Sequence, residues 1–466
     1  MAIGNETRQS ILISLAQGKT VIFSSMAGLP CMPARRDMMT GRLNFLESSW
    51  CPLQPFDEVY PRVLNKQSGT YCHMITDHYH YFEASGLGYQ TPFHTWEFMR
   101  GQESDPWQPR VKDPEIPVYR GKNRRQDWVN RHSMNLERDE DYPTTQCFMR
   151  AIDFLQHNHD QDNWLMHLEV FDPHEPFVCP HKYRELYADD WSGPYHFDWP
   201  SYSSVDRKCY AGTLTMADIW LGKLLDKMDE LDLWKDTTVI LTTDHGHLLG
   251  DYGYWAKNYM FDYRKLAHIP LMVYQPGSPM NGKRVQSLTT TIDLMPTLLE
   301  LHGAIPSEHV QGKSLVHLLG EDGTHHDAVL YGYFAKDISL TDGRYTYTRQ
   351  PIPDSIAYHH TATPVISPQT PGQYEKAELG VFLPQTRMPV YRRPERSRRH
   401  HNAPDHHLLY DLANDPDQKS VIRNEALEER YAFKLHELLK RYQAPEWQYD
   451  RMGYKQDSLH IDRGIG

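Results

Sequence analysis

The stretch GLPCMPARRDMMTGR, Gly28 to Arg42, sets a cysteine just after a Gly-Leu-Pro bend, with Arg35 and Arg36 close behind it. The residues after Cys31 read as a helix, so the cysteine stands where that helix begins. Free backbone N–H groups and partial positive charge at a helix start hold anions and favour thiolates. Elsewhere cysteine is commonly a buried apolar filler. Further along, three apolar runs end in bursts of ionisable side chains. YCHMIT leads into Asp77-His78-Tyr79-His80, LEVF into Asp172-Pro173-His174, and TTVILTT into Asp244-His245-Gly246-His247. Asp244 and His245 offer a hard oxygen and an imidazole side by side, which suits a divalent metal. Each also has a plainer reading, as a turn-capping carboxylate and a backbone-bonded ring. Lys257, in GDYGYWAKNYMF, adds a positive charge downstream or is an ordinary solvated lysine.

Two familiar cysteine chemistries do not fit. A cysteine phosphatase needs its arginine six positions after the cysteine, and that position here is Asp37. A cysteine protease needs a particular histidine partner, and nothing local selects one.

The elements that would position these residues are short and buried. Runs at 71–76, 164–171, 237–243 and 271–274 are rich in β-branched and apolar residues and read as strands. Residues 216–234 and 291–303 repeat apolar positions at three and four, so they read as amphipathic helices, the second closed by Gly303. Strands alternating with helices predict an α/β unit over 1–325, a mostly parallel central sheet sandwiched by helices. Ligands in such sheets bind beyond the carboxyl ends of the strands, where all three bursts lie. From 326 to 466 the texture changes to antiparallel strands, with Asp342-Gly343 as a hairpin turn, and a long helix. This predicts a smaller α+β subdomain. Within it the Pro-rich stretch 350–405 reads as a long functional or structureless loop.

Bulk properties narrow the classes. The chain has 466 residues and a net charge of −12, which argues against a nucleic-acid partner. No apolar run reaches the ~18 residues of a membrane helix. The start, MAIGNETRQS, lacks the pattern of a signal peptide, so the default location is cytoplasmic. Six cysteines, at 31, 51, 72, 147, 179 and 209, form no C-x-x-C pair and read mostly as reduced core residues.

Cys31-Met32-Pro33-Ala34-Arg35 followed by Thr40-Gly41-Arg42 resembles the signature of type I sulfatases, of the alkaline phosphatase-like superfamily. The likeness continues in order through VFDPHEPF, TTDHGHLLGDYGYWAKN, HIPLMVYQPG, TTIDLMPTLLELHG, QGKSLVHLL and LLYDLANDPDQ. It implies that a host maturation enzyme converts Cys31 to Cα-formylglycine. One hydroxyl of the aldehyde hydrate then attacks the sulfur of a sulfate ester, and the other expels sulfate, a release step that serine lacks. It implies further that Arg35 holds the hydrate, that His174 protonates the leaving group or binds sulfate, and that Lys257 neutralises the sulfate oxygens. Asp244 and His245, with residue 31, correspond to ligands of a calcium-type metal, with manganese or zinc as alternatives.

Three departures matter. The family commonly carries a GKWH-like segment where this chain has DHYH, so His80 fits the histidine and His78 stands in the lysine's place. Position 245 is often Asn in sulfatases, and His also occurs, including in the related phosphonate monoester hydrolases, which keeps phosphonate monoesters and phosphodiesters open as substrates. Members also begin with a strand ending in an Asp-Asp pair that completes the metal site. Here no Asp precedes Asp37, and LISLAQGKTVIFSSM resembles the helix and strand that follow that first strand. The sequence is therefore expected to be N-terminally truncated, with two of the family's protein ligands, which adds an inactive remnant as a further reading. For the alcohol half of the ester, the aromatic-rich segment 77–107 offers a wall for a sugar or aryl group, or simply packs under a loop. The basic run Arg392, Arg393, Arg396, Arg398 and Arg399 either reaches a sulfated glycan or forms a solvated loop.

Overall fold

A computed structural model describes residues 20–26, 28–109, 111–112, 136–175, 177–187, 207–258, 260–365, 372, 374–400 and 404–454. The predicted helix within LISLAQ lies outside them. The first strand, β1 (Val21–Met26), leads through Gly28 into helix α1 (Cys31–Thr40). Cys31 is the first residue of that helix. Pro33 sits in its first turn, where no intrahelical N–H is lost. Gly41 closes the helix at φ 63°, its N–H donating to the Asp37 carbonyl.

Two sheets carry the catalytic-type region. Strands β2 (Tyr71–Thr76), β3 (Thr95–Phe98) and β4 (Trp164–Glu169) form one, in the order β3-β2-β4 and parallel throughout. Strands β5 (Val239–Thr242), β8 (His268–Tyr274) and β9 (Arg284–Thr290) join β1 in the other, in the order β5-β8-β1-β9. There β1 and β9 are parallel, while β8 runs antiparallel to both of its neighbours. Between β5 and β8 in the chain lies a small antiparallel ribbon, β6 (Leu248–Leu249) with β7 (Trp255–Ala256).

Alternation along β2 explains the sandwich. Cys72 and Met74 face a core with helices α1, α2 (Tyr60–Ser68) and Leu299. Ile75 faces the opposite core, with α3 (Pro143–Asn158) and α4 (Arg207–Glu230). Helix α4 begins earlier than the predicted 216 and stops at Glu230, because Asp232 turns to φ 54°. Among the described residues no helix is long and apolar enough to cross a membrane. All six cysteines are free thiols.

Strands β10 (Val329–Gly332), β11 (Ile338–Thr341), β12 (Tyr345–Arg349) and β16 (Leu408–Asp411) make the antiparallel sheet expected from the sequence, with Gly343 at φ 90° in the hairpin turn. Helix Glu425–Arg441 covers it. Its core also takes in Leu43, Phe45, Leu46 and Ile292 from the first region. One expectation is corrected. Part of 350–405 forms a second antiparallel sheet, of β13 (Ile356–Thr361), β14 (Glu378–Gly380) and β15 (Val390–Arg396), in the order β13-β15-β14. The basic run is therefore mostly strand, with Arg392 paired to Glu378 and Arg393 to Glu395.

Candidate active site

All three strand-end bursts meet the start of α1. Cys31 Sγ lies 3.1 Å from His245 Nε2. Burial raises the Cys31 thiol, Lys257 and Arg35 oppose that, and the net shift is upward, so the group is a thiol at neutral pH. Arg35, one turn along α1, donates to the Cys31 carbonyl at 3.1 Å. Its guanidinium also pairs with Asp244 beyond β5 and with Glu169, the last residue of β4. One side chain thereby ties the two sheets together across the site.

The segment after β5 is shaped by a tight backbone approach. The Gly246 N–H donates to the Leu266 carbonyl at 2.6 Å, and a Cβ at 246 would sit 2.1 Å from the Lys265 carbonyl oxygen. That approach turns His245 so that Nδ1 meets the Gly246 carbonyl at 2.8 Å and Nε2 faces Cys31. Burial lowers the His245 pKa to about 4, so the ring is neutral. Burial also works against the Asp244 carboxylate, but His245, Arg35 and Lys257 outweigh it and hold its pKa well below the ordinary range. An anionic carboxylate, a neutral imidazole with its other nitrogen anchored, and Cys31 place three donor atoms within 4.8 Å of one another.

Lys257 enters from the segment following β7. Its Nζ lies 2.7 Å from His174 Nε2 and 3.5 Å from Glu175 Oε2. Burial disfavours the ammonium, yet Cys31, Glu175 and Asp244 offset it and Lys257 titrates above the ordinary lysine range. His174 Nδ1 donates to the Glu175 carbonyl at 2.7 Å, which leaves Nε2 as the acceptor toward Lys257. His247, beside Glu175 at 3.6 Å, is kept neutral by burial with a pKa of about 4.

His78 is fully buried, packed on Tyr81 and Phe171, and neither ring nitrogen has a hydrogen-bond partner among the described residues. Burial, then Arg35, His80, His174 and Lys257, push its pKa well down. The ring is thus a neutral neighbour of the cations. His80 sits 5.1 Å from the His78 ring, but its nitrogens face Glu83 at 2.7 Å and Glu103 at 3.3 Å.

Several participants carry little signal in the sequence. Glu169 is joined through Oε2 to the Tyr81 hydroxyl at 2.7 Å. Its only signal is its place just ahead of Asp172. Glu175 follows His174 directly and touches three site side chains. Asp77 and Asp172, both within the bursts, lie behind the site. Thr144 Oγ1 donates to Asp172 at 2.7 Å and lies 3.1 Å from Asp77, and Gln102 Nε2 bonds both carboxylates. Asp77 also accepts the Phe171 N–H at 2.7 Å, which pins the end of β4 to the end of β2. In the aromatic-rich segment Phe82 stacks on Phe98 at 4.1 Å, and Phe82, Trp96 and Trp107 are exposed.

A family model described as Sulfatase matches residues 2–304. An arylsulfatase of Clostridium perfringens is 26% identical over 223 residues, covering 42% of this chain and 45% of that protein. A choline-sulfatase of Rhizobium meliloti is 24% identical over 369 residues, 68% of each chain. The multifunctional alkaline phosphatase superfamily protein PehA of Trinickia caryophylli is 28% identical over 215 residues, 37% of this chain and 40% of that protein. The chain thus spans less than half the length of two of these relatives. Among solved structures, BT4656 in complex with its substrate D-glucosamine-2-N,6-O-disulfate superposes with TM-score 0.64 at 15% identity, covering 97% of this chain and 96% of that one. A phosphonate monoester hydrolase of Agrobacterium radiobacter gives TM-score 0.64 at 18% identity, covering 93% and 90%.

Proposed function

The chain belongs to the sulfatase family, with the alkaline phosphatase-like fold, and from that membership and the geometry around Cys31 we propose that it hydrolyses a sulfate monoester of an aryl or carbohydrate alcohol. The observation that carries this reading is the convergence of Arg35, Asp244, His245, His174 and Lys257 on a cysteine at a helix start. Converted to Cα-formylglycine by a maturation enzyme, residue 31 supplies the paired hydroxyls of an aldehyde hydrate, one to attack sulfur and one to release sulfate.

Asp244 and His245 are in the protonation states that ligate a metal, and a divalent ion held there supplies positive charge for the nucleophile and the sulfate oxygens. One carboxylate and one imidazole beside residue 31 are donors that a divalent ion accepts, calcium as the family resemblance implies, or manganese or zinc. Arg35 fixes residue 31 through its carbonyl and holds Asp244 in place. Lys257 presents its ammonium to the sulfate oxygens. The proton it shares with His174 Nε2 is the one available to the departing alkoxide. His78 lines the anion's position as a neutral ring. His80 contributes by orienting that wall through Glu83 and Glu103. The exposed rings of Phe82, Trp96 and Trp107 offer apolar faces to a sugar.

Two measurements test this. The mass of the tryptic peptide containing residue 31, from protein made in its native host, reports whether sulfur has been replaced by an aldehyde oxygen. An intact thiol in a host that carries the maturation enzyme counts against the proposal. A second reading, hydrolysis of phosphonate monoesters or phosphodiesters with the same residues, is kept open by His245. Turnover of matched aryl sulfate and aryl phosphonate esters separates the two, and faster phosphonate turnover overturns the sulfatase reading.

A further inference from the structure

A second donor cluster lies away from the Cys31 site. Asp293 ends the short turn Thr291–Asp293 that follows β9, while His325 and His326 lie on the segment leading into β10. An isolated antiparallel bridge between Leu288 and His326 pins that segment against β9. His325 Nε2 is 3.2 Å from Asp293 Oδ2, and His326 Nε2 is 3.0 Å from both carboxylate oxygens. The three donor atoms lie within 4.8 Å of one another, and the side chains are at most 1% exposed.

The surroundings orient the cluster. The Thr290 N–H donates to Asp293 Oδ2 at 2.9 Å and the Lys313 N–H to Oδ1 at 2.8 Å, so the fold holds the carboxylate with its remaining acceptor positions toward the two rings. Neither Nδ1 of the two rings has a partner among the described residues, so the polar contact each ring makes there is the one Nε2 makes with Asp293. The exposed His317 ring lies 5.2 Å from that of His325, so the cluster is one side chain from solvent.

We propose that Asp293, His325 and His326 hold a structural transition-metal ion of the zinc class, one that fastens the turn after β9 to the start of the C-terminal antiparallel sheet. Two imidazole nitrogens and one carboxylate oxygen are the donors such an ion prefers, and a second carboxylate oxygen or a water completes four-coordination. The rival account is a self-contained hydrogen-bond hub, in which Asp293 caps its turn and accepts from two rings with no ion.

The test uses the full chain carrying Cys31→Ala and Asp244→Asn, so that the first site is dismantled. After chelation and dialysis, this variant is titrated with Co2+ and then with Zn2+. The expected result is one equivalent of Co2+ with visible d–d bands and no thiolate charge-transfer band, displacement by Zn2+, and a rise in Tm on adding either ion. Adding His326→Gln, or separately His325→Gln, removes the bands and the Tm shift while circular dichroism confirms a folded chain. The absence of bands and Tm shift in the parent variant, which needs no histidine substitution, overturns the proposal in favour of the hydrogen-bond hub. Bands that survive both histidine substitutions overturn it as well.

Discussion

Lys257 Nζ and His174 Nε2 stand 2.7 Å apart although 83 residues separate them in the chain. The contact has one chemical sense. An ammonium donates, so the imidazole nitrogen accepts, and the ring's own proton stays on Nδ1 against the Glu175 carbonyl. The pair therefore carries one positive charge and one proton that either nitrogen can hold, beside residue 31.

Removing the ammonium should cost transition-state binding more than ground-state binding. Lys257→Ala is expected to lower kcat on an aryl sulfate by about 10²–10³, the usual consequence of deleting a donor aimed at developing negative charge. Steady-state kinetics check this. A rise in KM at unchanged kcat would reduce Lys257 to a simple anchor for the substrate.

Glu175 gives a way to move the pair without cutting it. Its Oε2 lies 3.5 Å from Lys257 Nζ, and its charge is one of the causes that hold Lys257 above the ordinary lysine range. Glu175→Gln keeps the size and the backbone carbonyl but removes the charge. The Lys257 pKa then falls, and the alkaline limb of the kcat/KM profile moves to lower pH. A limb that stays in place while activity drops would show that Glu175 acts only by packing.

The site is partly legible in the sequence because parallel strands put polar residues at their carboxyl ends, and DHYH, DPH and DHGH advertise those ends directly. Glu169 is not legible. Its role depends on Arg35 reaching from α1 to both sheets, a relationship that no local spacing encodes. In the C-terminal region, Pro394 disguises β15. A proline removes a ladder donor and reads against a central strand. The structure tolerates it because β14 pairs only with Val390–Arg392, so the edge beyond Arg392 is open and Pro394 faces β13 alone. The run of arginines then resembles a solvated loop, whereas cross-strand Glu378 and nearby Glu395 neutralise part of it.

Asp77 and Asp172 make stability depend on pH. Burial raises both carboxyl groups from 3.8 to about 7, and for Asp172 the charge of Asp77 adds to it. Between the ordinary carboxylate range and about pH 7 the folded chain keeps a proton that the unfolded chain has released. Unfolding free energy therefore falls as pH rises through that window and levels off above it. Asp172→Asn keeps a partner for Thr144 and takes one titrating group away, so the drop in Tm from pH 5 to pH 8 should be smaller than in the parent protein. Equal drops in the two proteins would rule out the pair as the cause.

On the proposed function residue 31 both attacks sulfur and releases sulfate, and Cys31→Ser separates those two duties. A serine hydroxyl at the first residue of α1 occupies the same place beside His245 and Arg35, so attack on sulfur remains possible. It has no second hydroxyl with which to expel the sulfate. The variant should therefore release at most one equivalent of alcohol per active site and then stop. Mass spectrometry should find sulfate left on the peptide that contains residue 31. A rapid-quench experiment with an aryl sulfate reads the burst, and Cys31→Ala should show neither burst nor label. Sustained turnover by Cys31→Ser would mean that hydrolysis here does not pass through a covalent bond to residue 31, and that Asp244, His245 and Lys257 direct water onto sulfur instead.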